Sequence, residues 1–427
     1  MKKEIRKGIH WLTTFLAVAS LLAIVSCGAG DGPDAGAAVP VRGVTSLAEV
    51  QPVFNANCLT ACHEPGGIGF GETGLDLRAG ISYGLLFNQP AISPSLPGVR
   101  VISRDGNNSV LYRRVAGLLP PLVSPMPPPP ASPLPAAVQA LIKKWIDDGA
   151  STTGRLNAVL SGNQISAASL GPIATAAGGS GTLTLSPDRT AIDFTLDVGA
   201  LATFNSPVIA GAHIHARDPG VDNGPIIFDF LPATVPDPLV LSGTLTAANL
   251  TPRPNIPDFP TAVAALLNGT TYFQVHTQAH PAGEIRGHIG TETLTATLNG
   301  AQAVPAVITN ATGTGTVVIN PDQDAVSVRL DLGLAANFTG PLTAAHIHAG
   351  AVGVNGPVIF EFALPPVIPA NPVINVVLTA ANLNPAQTTI TTFAQAVDAL
   401  LSGNTYFQAH TTVNPGGEIR GQILPVR

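Results

Sequence analysis

The chain contains one long sequence twice, and this constrains its fold more than any other feature. Residues 155–290 realign on 291–427 with an offset near 134. Ala212-His213-Ile214-His215 returns as Ala345-His346-Ile347-His348, and Asn223-Gly224-Pro225 returns as Asn355-Gly356-Pro357. Tyr272-Phe273-Gln274 returns as Tyr406-Phe407-Gln408, and Gly283-Glu284-Ile285-Arg286-Gly287 as Gly417-Glu418-Ile419-Arg420-Gly421. Each copy is far longer than a solenoid unit, so a whole domain is duplicated. Within each copy apolar residues alternate at period two. Ile192, Phe194, Leu196 and Val198 follow a turn at Ser186-Pro187-Asp188, and Val326, Val328 and Leu330 follow one at Asn320-Pro321-Asp322. These patterns predict β-hairpins with one buried face. Short helices are expected at Ala262–Leu267 and Phe393–Leu401, and each copy is read as an all-β antiparallel sandwich or barrel.

The His-Ile-His, Asn-Gly-Pro and Gly-Glu-Ile-Arg-Gly elements together resemble the chordin-type repeat, the CHRD domain, and the resemblance spans both copies. It implies an extracellular, mostly β fold and no established reaction. Two histidines at i and i+2 on a strand point to one face. His213 and His215, with His276, can therefore chelate one ion, as can His346 and His348 with His410. Three imidazoles suit copper or zinc. The His-x-His strand is similar in part to that of copper–zinc superoxide dismutase, which implies a copper-dependent redox enzyme as an alternative function. That enzyme uses further ligands, and the extra His280 of the first copy is Asn414 in the second. Structural hydrogen bonding, anchored by Glu284 with Arg286 and Glu418 with Arg420, is the competing role of these histidines.

Ahead of the repeats stands Cys58-Leu59-Thr60-Ala61-Cys62-His63. Two cysteines followed at once by histidine read as a covalent haem attachment site, although the usual spacing has two intervening residues and this chain has three. Thiols about one helical turn apart share a face and can each reach a porphyrin vinyl group, with His63 placed to bind iron. The alternative is a Cys58–Cys62 disulfide, whose short loop would add little. Met126, in a proline-dense loop, is the one methionine besides the initiator. Opposite His63 it would complete a His/Met iron site and raise its potential.

Val138, Leu141, Ile142, Trp145 and Ile146 recur at helical spacing, with Gly149 ending the helix. An opening helix is expected over Ser46–Ala61, with Leu47, Val50, Val53 and Phe54 on one face. Residues 44–151 thus resemble a small all-α monohaem cytochrome c domain, with haem c as cofactor. Arg113 or Arg114 could pair with a haem propionate, although a solvated helix face is the ordinary role of such an arginine. With both axial positions filled, the domain reads as an electron carrier and not as an enzyme.

The chain opens with a cationic head and an apolar run from Trp11 to Val25, too short to span a bilayer comfortably and suited to a signal peptide. Ile24-Val25-Ser26-Cys27 resembles the bacterial lipoprotein cleavage box. The resemblance implies lipidation at Cys27, removal of residues 1–26, a flexible tether over 27–43 and a cell-envelope location, with Gly28 favouring the outer membrane. Cysteine use outside the cytoplasm agrees with haem or disulfide chemistry. The chain carries a formal charge of −6, and the mature form is more acidic because the signal segment is basic. No basic patch points to nucleic acid. The expected partners are a redox protein and, through lipid, the membrane. A surface adhesion or binding protein is the third functional alternative.

Overall fold

Period-two alternation becomes strand pairing in both repeats. The computed structural model describes residues 43–93, 96–165, 171–218, 221–384 and 390–426. The signal segment, Cys27 and all but the last residue of the expected tether lie outside them. In the first repeat the strands are Leu156–Ser161 (β1), Gly178–Leu185 (β2), Ala191–Asp197 (β3), Ile209–Ala216 (β4), Ile226–Asp229 (β5), Val240–Thr246 (β6), Thr271–Thr277 (β7) and Ile285–His288 (β8). They form one antiparallel sheet in the order β5-β4-β7-β8-β1-β2-β3-β6. An isolated bridge from Phe228 to Leu250 joins its two ends, so the sheet curls into a barrel.

The second repeat reproduces this arrangement. Its strands are Glu292–Asn299 (β9), Thr312–Ile319 (β10), Val326–Asp331 (β11), Leu342–Ala349 (β12), Val358–Phe362 (β13), Val373–Leu378 (β14), Thr405–Thr411 (β15) and Ile419–Pro425 (β16), with the same order of neighbours. Before the seventh strand of each copy lies a helix, Phe259–Leu267 and Phe393–Leu401. The first is longer than expected, because the Asp258 side chain caps it by accepting the Thr261 N–H and a proline fills its first turn.

The predicted hairpins form where expected, with Leu183 opposite Phe194 and Val317 opposite Val328. Inward-facing residues of each sheet make a separate core. Small residues make room in it. A Cβ added at Gly315 would lie 2.3 Å from the Phe407 ring, and one at Gly181 would stand equally close to Phe273. Gly315→Ala is expected to cost about 1–3 kcal/mol by overpacking. Gly416→Ala, where a Cβ meets nothing within 4 Å, is the control. Parallel urea melts check this, and equal midpoints would mean that the core yields freely at Gly315.

The N-terminal part is helical: Leu47–Asn57 (α1), Ile68–Thr73 (α2), Ser82–Leu86 (α3), Val110–Val115 (α4) and Ala136–Asp147 (α5). The Ser46 N–H and hydroxyl both donate to Glu49, which fixes the start of α1. Val50 and Phe54 of α1 share a core with Ile142, Trp145 and Ile146 of α5. Gly149, at φ +102°, turns the chain away after α5. Helix α1 ends four residues earlier than expected. Cys58 is its C-cap, and Ala61 sits at φ +62°. The cysteine segment is therefore a series of turns, and its two thiols do not share a helical face.

The three parts are joined by polar contacts. Asp148, 3% exposed, accepts from Lys144, from the Thr45 N–H and from Arg189 in the first repeat. Asp322, in the Asn-Pro-Asp turn of the second repeat, accepts the N–H groups of Thr152 and Thr153 at 2.7 and 3.1 Å. Asp398 of the second repeat accepts from Gln164 of the first at 2.8 Å.

Candidate functional site

The N-terminal helices line an apolar slot that is partly open to solvent. Cys58, His63 and Met126 all line it, together with Leu75, Leu77, Leu86, Val110, Leu111 and Val115. The methionine loop comes from far along the chain. It is held where the Met126 N–H donates to the Arg114 carbonyl at 3.0 Å.

His63 is 8% exposed, and its Nδ1 lies 3.3 Å from the Leu75 carbonyl. A carbonyl only accepts, so Nδ1 carries the proton and Nε2 keeps its lone pair. Burial lowers the pKa of this imidazole. The Leu75 contact works against that shift, and the positive charges of Arg100 and Arg114 add to it. The ring is thus held neutral, as a metal ligand must be. Gly69 packs on its face, where a Cβ would come within 2.7 Å of the ring. Arg100 and Arg114 are the charged groups lining the slot. Arg100 donates to the Leu85 and Thr73 carbonyls, and Arg114 to Ser124 and Ser93.

The two cysteines differ. Cys58 is a free thiol in the slot lining, its pKa pushed up to about 12 by burial. Cys62 is buried. The expected alternative of a Cys58–Cys62 bridge is therefore not formed.

In each repeat the histidines lie on the sheet face opposite the core. His213 and His215 of β4 face the same way, and His276 of the neighbouring strand β7 joins them. Its ring centre is 4.9 Å from that of His213 and 5.7 Å from that of His215. The second copy repeats this with His346, His348 and His410, at 4.9 and 5.8 Å. His280 stands apart, its Nε2 3.0 Å from the Asn205 amide.

Sequence reasoning missed the support beneath these rings. His215 stacks on Tyr272 at 4.9 Å and 10°, and the Arg286 guanidinium lies 3.6 Å from the other neighbour of the stack, the Tyr272 ring centre. His348, Tyr406 and Arg420 repeat the tower, at 4.9 Å and 11° and again 3.6 Å. The Asn-Gly-Pro segment straps it down. The Gly224 carbonyl accepts from His215 Nδ1 at 2.9 Å and from the Tyr272 hydroxyl at 3.3 Å. Gly356 does the same for His348 and Tyr406, at 2.9 and 3.4 Å. Only glycine fits here, because a Cβ would lie 1.6 Å from the carbonyl oxygen of Ala216 or Ala349.

The Glu-x-Arg pairs divide their work. Arg286 bonds to Asp222 and Asn223 of the strap. Glu284 does not join the histidines. Its carboxylate accepts from Thr175, Thr277 and the Asn205 N–H. Glu418 likewise accepts from Thr309, Thr339 and Thr411. Burial alone would raise its pKa, but these donors outweigh burial and bring it to about 2, from 4.5. A depressed carboxylate pKa stabilises the fold above pH 4.5, and this contribution fades as pH falls toward 2. In Glu418→Gln that acid-dependent loss, about 3 kcal/mol, should disappear, with lower stability at pH 7. Urea melts at pH 7 and pH 3 check this, and an unchanged pH dependence would contradict it.

Comparison with known proteins gives one family. The CHRD domain matches residues 156–289 and again 294–423. No curated protein and no solved structure matches the chain.

Proposed function

Because the chain belongs to the CHRD domain family, with two such domains in tandem, its partners are expected to dock on β modules, and we propose that the helical part carries electrons for them. In this reading the protein is a cell-envelope lipoprotein, lipidated at Cys27 and probed through one c-type haem held by residues 44–151. The observation that carries it is the convergence of Cys58, His63 and Met126 on one apolar slot.

The residues present fit the group. The slot is lined by aliphatic side chains, as a porphyrin face requires. His63 presents a neutral ring whose tautomer the Leu75 carbonyl sets. Met126 would supply a sulfur donor to the iron, and Arg100 and Arg114 would supply cationic partners for its carboxylates. Cys58 supplies a thiol at the slot wall. Cys62 would supply the second thioether.

When bound, the haem supplies a one-electron couple. The chain's own residues set its working conditions. The apolar wall would keep water away, His63 and Met126 would hold the iron through nitrogen and sulfur, and Arg100 and Arg114 would place positive charge nearby. The repeats space the haem domain from its surroundings and offer surfaces for a redox partner. The reading is tested by reduced-minus-oxidised absorption spectra of the mature protein. A reversible change, with no binding of small axial ligands to the ferrous form, supports a closed electron-transfer site. Ready binding of carbon monoxide would mean an open iron position, and a colourless protein would leave only the binding modules.

A further inference from the structure

We infer that each CHRD domain is a metal site in which three neutral imidazoles hold one late first-row divalent ion and leave one coordination position open. The argument rests on which nitrogen each ring presents. His215 Nδ1 faces the Gly224 carbonyl and His276 Nδ1 faces the Pro281 carbonyl at 3.0 Å. Carbonyls only accept, so both Nδ1 atoms are protonated and both Nε2 atoms are bare lone pairs. His213 is turned the other way. Its Nε2 faces the Asp229 carboxylate at 3.6 Å, and its Nδ1 points away from that carboxylate.

Those three atoms, His213 Nδ1, His215 Nε2 and His276 Nε2, are buried and have no hydrogen-bond partner. One ring nitrogen of each histidine lies within 4.8 Å of the corresponding nitrogens of the other two. Buried polar atoms are rarely left unpaired, and three lone pairs aimed at one point repel unless a cation or a proton stands between them. A tetrahedral ion with bonds of about 2.0–2.1 Å needs its ligand nitrogens roughly 3.3 Å apart. His346 Nδ1 and His410 Nε2 are 3.2 Å apart in the second copy. There the remaining orientations recur: His410 Nδ1 faces the Pro415 carbonyl, His348 Nδ1 faces Gly356, and buried His348 Nε2 has no partner.

The surroundings are those of an oriented ligand set. Backbone carbonyls fix two tautomers in each copy, as outer partners of metal-bound histidines do. The Arg–Tyr–His tower restrains the ring of His215 or His348. Three imidazoles with no thiolate or carboxylate donor suit copper(II) or zinc, copper(II) being bound more tightly. The copies are not equal. Asp229 stands beside His213, and its strand partner position in the second copy is Glu361, opposite His346. Among the described residues, a carboxylate contact is given to His213 and to none of the other five, so the first site is expected to be the tighter one.

The test uses the full mature chain, stripped with a chelator and titrated with copper(II) chloride alone. Bound metal is read by mass spectrometry of the elements, and its ligands by electron paramagnetic resonance. Two equivalents of copper with nitrogen coupling are expected. His215→Gln should lower this to one, and His215→Gln with His348→Gln to none. His280→Gln should keep both, since that ring is held by Asn205. Circular dichroism confirms folding, and His213→Gln with His346→Gln repeats the test at less buried rings. Less than one equivalent in folded wild type, or two equivalents retained in a folded double variant, would overturn the inference.

Discussion

Met126→Ala is expected to lower the reduction potential of the helical domain sharply while leaving its haem content unchanged. In the proposed site thioether bonding and His63 would retain the group, so attachment would not depend on Met126. The potential does. Axial ligands move haem potentials over roughly 0.8 V, and methionine lies toward the high end. A drop on the order of hundreds of millivolts should follow, together with loss of the methionine–iron absorption signature. The methionine loop has no helix or sheet of its own, and the Met126 N–H bond to Arg114 holds it in place. Met126 is the sole methionine left after the initiator, so no other methionine can substitute. Redox potentiometry on both proteins reads the effect. An unchanged potential would remove Met126 from the ligand set and leave the second axial position to another group.

Trp145→Ala should unfold the slot without touching the repeats. Trp145 of α5 is fully buried in the core shared with α1, and its indole N–H donates to the Ser151 carbonyl at 2.9 Å. Truncating a buried tryptophan costs about 3–5 kcal/mol, and here an acceptor also loses its donor. A domain of this size holds total stability of only about 5–15 kcal/mol, so the loss is a large share. The chain has several cores and will not unfold as one unit. Hydrogen exchange followed peptide by peptide is therefore the proper readout. Peptides from 44–151 should lose protection, and peptides from 156–423 should keep it. Equal loss across both would mean that the helical part and the barrels fold as one unit.

Residue periodicity made the barrels legible. Hairpins announced themselves through alternating apolar residues and Ser-Pro-Asp or Asn-Pro-Asp turns, and the histidine pairs fell on one strand face because the side-chain period is two. What could not be read were features made by strands far apart in sequence. Tyr272 lies beside His215 only because β4 pairs with β7, and Arg286 lies beside Tyr272 only because β7 pairs with β8. The Asn-Gly-Pro element was visible as a repeat, but its work as a strap depends on the backbone at Gly224 crowding the Ala216 carbonyl. The Glu-x-Arg pair looked like an anchor for the histidines. In the fold Glu284 reaches threonines on neighbouring loops, and Arg286 reaches the strap.

The helical part shows the same division. The spacing of Ile142, Trp145 and Ile146 was enough to place α5. The cysteine run was read as a helical turn, yet the chain leaves α1 at Cys58 and passes through a positive φ at Ala61. Local spacing carries no information about a helix that stops, so Cys58 lines the slot while Cys62 is not part of its lining.

The most direct test of the central claim is the mass of the mature protein after denaturation and acid–acetone extraction, read with a pyridine haemochrome spectrum of the same sample. A porphyrin that stays with the peptide carrying Cys58 and His63, with the spectrum of a thioether-linked haem, is the result expected here. A polypeptide of unmodified mass, or one whose colour leaves entirely with the solvent, would contradict it.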